Sequence, residues 1–102
     1  MNEEHADKTM RPNTVKRLWI KLIATLPLAN TTILIENGMA VTKRGMVRSV
    51  LLSELAELAM SNDVQCACIM ARTTSTGFSL SFYGIPKALH QRFRNVWGVH
   101  WR

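Results

Sequence analysis

The chain is poor in the residues from which catalytic and metal sites are built. It holds seven acidic residues, three histidines and two cysteines among 102 residues. It contains no Gly-x-Ser-x-Gly elbow, P-loop, His-Glu-x-x-His pair or dinucleotide fingerprint. Glu54 and Glu57 are typical of a solvated helix face, and His90 has no nucleophile or orienting acid beside it. We therefore predict that the protein is not an enzyme and uses no cofactor, no metal and no small-molecule substrate.

Cysteine is too scarce and too closely spaced for a disulfide scaffold. Cys66 and Cys68 lie two residues apart in a predicted strand. Their side chains then point to the same face, but they lie too far apart along the strand to bridge one another. No further His or Cys lies near in sequence to complete a metal site. Two buried, reduced thiols are predicted.

The chain also lacks an apolar run long enough to cross a bilayer. The run Leu18–Ala29 has 12 residues and includes Lys21, which is too short for a transmembrane helix. Residues 1–13 are polar and without periodicity, which predicts a disordered tail.

Residues 14–26 are predicted to form an amphipathic helix that ends at Pro27. The helical wheel gathers six apolar residues on one side, namely Val15, Leu18, Trp19, Leu22, Ile23 and Leu26. The opposite side carries Lys16, Arg17 and Lys21. Three interpretations fit residues 14–29: a helix packed on a sheet with a solvated basic face, a helix lying on a membrane surface, or a targeting segment.

The remainder of the chain repeats one pattern twice. At an offset of 39 residues, Gly38 corresponds to Gly77 and Gly45 to Gly84. Each copy reads strand, turn, strand, glycine, helix, and Asn37-Gly38 is typical of a two-residue hairpin turn. The predicted strands cover 31–36, 39–43, 64–72 and 78–83, and the predicted helices cover 48–60 and the segment after Pro86. This predicts one α+β domain over residues 14–102: an N-terminal helix followed by a duplicated β-β-α unit, with a four-stranded sheet and the helices on one face.

The net charge of +6 is uneven. Basic residues accumulate at equivalent places in the two copies of the pattern, and one tyrosine accompanies them. Cations of this kind can contact phosphates, and an aromatic ring can stack on a base. The candidate binding residues are Lys43, Arg44, Arg48, Tyr83, Lys87, Arg92 and Arg94. The same residues also fit an ordinary solvated surface.

Three stretches carry a resemblance to a known family: Gly77–Phe82, Ile85-Pro86 and Gln91–Trp97. Over residues 33–97 the chain resembles a small bacterial family of domains of unknown function. The resemblance implies a membrane anchor ahead of the domain, and it supplies no activity or catalytic residues. Residues 14–29 depart from an anchored pattern because they are short and contain Lys21 and Pro27.

Together these features predict an interaction module that is cytoplasmic and membrane-associated. Its expected partner is a protein or an anionic membrane surface, which the basic amphipathic segment 14–26 would contact. The alternative is a nucleic-acid-binding module that uses a basic helix face.

Overall fold

The computed structural model describes residues 14–101. Residues 14–24 form helix α1. Strands β1 (Thr31–Glu36) and β2 (Met39–Arg44) precede helix α2 (Ser49–Ser61), and strands β3 (Cys66–Thr73) and β4 (Phe78–Tyr83) precede a 3₁₀ turn (Lys87–Leu89) and helix α3 (His90–His100). The predicted α+β class and the order of elements are confirmed.

The four strands form one antiparallel sheet in the order β2-β1-β3-β4. The first hairpin turns at Asn37 and Gly38, whose φ angles are 52° and 81°, as a two-residue turn with positive φ at both central positions requires. The second hairpin has a longer loop, in which the Thr74 amide donates to the Gly77 carbonyl over 2.8 Å. The two β-β-α units therefore differ at their turns.

The two β-β-α units have the same backbone conformation at the glycine that follows each hairpin. Gly45 and Gly84 both have a φ of 83°. A Cβ at either position would lie 2.6 Å from a backbone oxygen, that of Asn30 or of Cys66. A side chain at either position would strain the backbone and clash with that oxygen. The two glycines, which correspond in the sequence pattern, are therefore required for the same structural reason.

Helices α2 and α3 cover one face of the sheet. The apolar stripes predicted for these helices face the sheet. Their fully buried members are Leu51, Leu55 and Ala59 from α2 and Phe93 and Trp97 from α3, and their half-buried members are Leu52, Leu58, Leu89 and Val96. They pack on Ile33, Ile35, Ala67, Ile69 and Ala71, the odd-numbered residues of β1 and β3. Val64 belongs to this core too, although the strand prediction placed it with the cysteines; β3 begins only at Cys66, so strand alternation does not reach Val64.

Helix α1 lies on the opposite face, which corrects the prediction that all helices share one face. Ile20 and Ala24 of α1 pack on Leu34, Cys66, Cys68 and Met70, the even-numbered residues of the same two strands. Because β1 and β3 are apolar on both faces, each face needs a cover. The central strands of the sheet are thus sandwiched between α1 and the pair α2–α3.

Candidate interaction surface

The sequence-predicted basic residues do not form one patch. Lys43 and Arg44 lie at the end of edge strand β2, and Arg48 immediately precedes α2. Lys87, Arg92 and Arg94 belong to the 3₁₀ turn and α3. Since α3 contacts β4 through Phe82, at the other edge of the sheet, Lys43 and Arg44 lie at the opposite edge from the basic residues of α3. Arg48 lies between them, in a pocket that it shares with the end of α3.

Tyr83 is separated from the basic residues of α3 by the sheet itself. It pairs with Cys68 and packs on the α1 side. Arg94 instead covers the ring of Phe82 on the other face, with its guanidinium carbon 5.3 Å from the ring centroid. A base stacked on Tyr83 would therefore be remote from the arginines of α3.

Helix α1 is held by few contacts. Ile20 and Ala24 are each 3% exposed, and Ile23 is half-buried beside them. Arg17 Nη2 donates to Gln65 Oε1 over 2.8 Å, and Lys21 Nζ lies 2.9 Å from Glu36 Oε2. Two of the cations assigned by pattern to the solvated side thus reach back to the end of the sheet.

The predicted apolar stripe of α1 faces away from the sheet except at Ile23, which is half-buried. Leu18 is 62% exposed, Trp19 60%, Leu22 54% and Val15 51%. We call these four residues the outer α1 face. The wheel has two apolar arcs, and the smaller arc of Ile20, Ile23 and Ala24 packs on the strands. A helix that is apolar on both sides normally requires a cover on both.

Further exposed apolar residues continue this surface. The linker between α1 and β1 adds Leu26 and Leu28, and β2 adds Met39 and Val41. Met39 and Val41 pair with Glu36 and Leu34, so their side chains lie on the α1 side of the sheet. Eight of the twelve large exposed apolar residues within 14–101 therefore belong to the α1 side. The sequence analysis included Leu26 in the amphipathic segment 14–26, but it did not single out Leu28, Met39 or Val41.

The two thiols are not suited to nucleophilic chemistry. Cys66 and Cys68 are free and buried, as predicted. Burial raises the pKa of the Cys68 thiol from 9.0 to about 11. Burial, followed by the nearby Glu36 carboxylate, raises the pKa of Cys66. Both thiols are therefore protonated at neutral pH, and the thiolate is the reactive form.

The histidines of α3 have structural partners. His90 is half-buried rather than exposed: its Nε2 donates to the Ile85 carbonyl over 2.9 Å, and its ring lies 4.4 Å from that of Phe82. His100 pairs with Glu54 of α2, so one of the two helix carboxylates has a partner. Within residues 14–101, no group of three or more His, Cys, Asp or Glu side chains is arranged to hold a metal.

Comparisons with protein-family models, curated proteins and solved structures found no match to this chain. Among the described residues, none of the helices has the length and hydropathy needed to pass through a bilayer.

Proposed function

We propose that this protein is a non-catalytic module that binds the surface of an anionic membrane through the outer α1 face. The observation that carries the proposal is the direction of α1: the four large apolar side chains of the outer α1 face point to solvent, while Ile20 and Ala24 contact the sheet. Interfacial helices bind membranes by burying such a face at the level of the headgroups.

The composition of the surface favours a lipid interface. Trp19 is a residue type enriched where headgroups meet acyl chains. Lys16 is exposed and has no described partner, and Lys21 remains half exposed in its pair with Glu36. These lysines lie beside the apolar face, where their ammonium groups could contact anionic headgroups.

The net positive charge of the chain favours binding to an anionic membrane over self-association. At a net charge of +6, two copies that approach through the same face repel one another, whereas an anionic bilayer attracts each of them. Edge strand β2 also ends in Lys43 and Arg44, and basic side chains discourage strand pairing between copies.

The test is co-sedimentation of the full chain with phosphatidylcholine vesicles, with and without phosphatidylglycerol. We expect binding to the anionic vesicles that weakens when the salt is raised from about 50 to about 200 mM. Leu18→Gln combined with Leu22→Gln should lower the affinity by at least about tenfold, because two apolar side chains no longer enter the bilayer.

Met60→Gln combined with Val99→Gln is the matched control, since it removes two exposed apolar side chains from α2 and α3. This control should sediment like the unaltered protein. The proposal is overturned if the anionic vesicles fail to sediment the protein at low salt, or if both double variants bind equally well.

A further inference from the structure

A pocket of about 390 Å³ lies on the other side of the sheet, remote from the outer α1 face. It is bounded by the loop between β2 and α2, the start of α2 and the end of α3. Its apolar walls are Val47, Leu51, Trp97 and Trp101, and the strand ends contribute Thr31 and Thr73. Small-molecule sites are commonly concave, mostly apolar and of this size, with few polar groups.

We propose that this pocket binds a small aromatic carboxylate. The expectation of no small-molecule substrate came from missing catalytic residues, and a ligand that is bound without being transformed needs none. The inference is independent of the membrane proposal, because the pocket and the outer α1 face lie on opposite faces of the sheet.

The aromatic side chains of the pocket wall favour a flat, apolar ligand. Trp97 is fixed in the core, and its indole nitrogen is buried within the protein, so it presents ring carbons to the pocket. Trp101 stacks on Phe78 with ring centroids 5.4 Å apart, which holds the second indole in place. Two fixed aromatic side chains in one pocket suit a planar ligand, since rings pack in offset or edge-to-face arrangements.

The charge of the pocket lining favours a ligand that carries a carboxylate. Arg48 lines the pocket and is exposed, and its guanidinium has no described hydrogen-bond or ion-pair partner. His100, the other ionisable group in the lining, pairs with Glu54. A guanidinium matches the two oxygens of a carboxylate with parallel hydrogen bonds. Arg48 is thus the available cation among the described lining residues, and none of those residues has a carboxylate side chain that would compete for it.

The start of α2 adds to the attraction for an anion. Arg48 occupies the N-cap position, makes no side-chain capping bond, and the first turn has no acidic residue. The positive end of the helix dipole is therefore not offset locally, which favours a bound negative charge. Met46, which is 97% exposed, lies at the rim, where a flexible thioether side chain can close over a ligand.

The probes are 2-naphthoate and 2-naphthamide, which share a ring system and differ in charge. Isothermal titration of the full chain should give saturable 2-naphthoate binding with a Kd below about 1 mM, and binding of the amide at least about tenfold weaker. Arg48→Gln should weaken naphthoate binding by at least about tenfold and leave amide binding unchanged.

Arg44→Gln removes a neighbouring cation that does not line the pocket, and it should leave naphthoate binding intact. Arg48 is exposed, so its replacement leaves the core untouched. The inference is overturned if naphthoate does not saturate, if acid and amide bind equally, or if Arg44→Gln weakens binding as much as Arg48→Gln. None of these outcomes bears on vesicle binding.

Discussion

The face of the sheet beneath α2 and α3 has a deep apolar core, whereas the face beneath α1 has a shallow one. The first includes Phe93, Trp97 and ten other buried residues. The second has six, among them one alanine and two cysteines. Burial of large apolar side chains is the main favourable contribution to folding, so the α2–α3 side should dominate the stability of the domain.

The helices also differ in what they present outward. The solvent side of α2 and α3 includes Ser53, Glu57, Gln91 and Arg92, whereas α1 presents leucine and tryptophan. A contiguous apolar surface on a soluble domain commonly marks an interaction site. The weakly held helix of this fold is therefore also the one that exposes an apolar face.

The largest expected difference in stability between the two faces comes from truncating one large core side chain on each. Phe93→Ala should lower the free energy of unfolding by about 3–5 kcal/mol, while Ile20→Ala should cost about 2 kcal/mol, near the lower end for buried aliphatic residues. Urea denaturation followed by circular dichroism measures both. An equal cost for the two variants would contradict the view that the α1 side is the shallower one.

Gly84 tests the place where α1 meets the second β-β-α unit. A Cβ there would lie 2.6 Å from both the Cys66 carbonyl oxygen and Ile20 Cδ1, at a φ of 83°. Gly84→Ala should therefore cost about 1–3 kcal/mol of stability.

Gly77→Ala is the matched control for Gly84. Nothing lies within 4 Å of a Cβ at Gly77, and its φ is outside the left-handed region. This variant should change the denaturation midpoint little. A loss at Gly77 as large as that at Gly84 would show that neither the positive φ of Gly84 nor the close approach of Cys66 and Ile20 is the source of the effect.

The smallest stability effect is expected on the outer α1 face. Leu18→Gln combined with Leu22→Gln alters two exposed side chains, so its effect on the free energy of unfolding should stay within about 0.5 kcal/mol per site. Thermal denaturation measures this change directly. A large loss of stability would mean that these leucines support the fold. It would contradict the distinction between the outward and inward sides of α1.

Much of the fold followed from local signals in the sequence. Alternation placed Ile33 and Ile35 on one face of β1 and Leu34 on the other, and Asn37-Gly38 marked the first turn. These predictions held because side-chain alternation and positive-φ turns depend on a few consecutive residues. The apolar spacing of α2 and α3 likewise identified the buried Leu51, Leu55 and Phe93.

The pocket beside Arg48 could not be predicted from local sequence patterns. The pattern singled out Arg48 as a basic residue, but nothing near it in sequence placed it beside Trp97 and Trp101, which are about fifty residues away along the chain. Lys43 and Arg92 were grouped because they occupy similar places in the repeat, yet the order of the strands puts them at opposite edges.

The sequence by itself determined which segments become strands and helices and which side chains share a face of each central strand. It predicted that α1 ends at Pro27, whereas α1 ends at residue 24. Only the tertiary structure decided that α1 crosses to the second face of the sheet and docks by Ile20 and Ala24. The physical reason is that the wheel of α1 carries two apolar arcs. The shape of the strand surface beneath it, built from residues far along the chain, selects which arc is buried and leaves Leu18, Trp19 and Leu22 facing solvent.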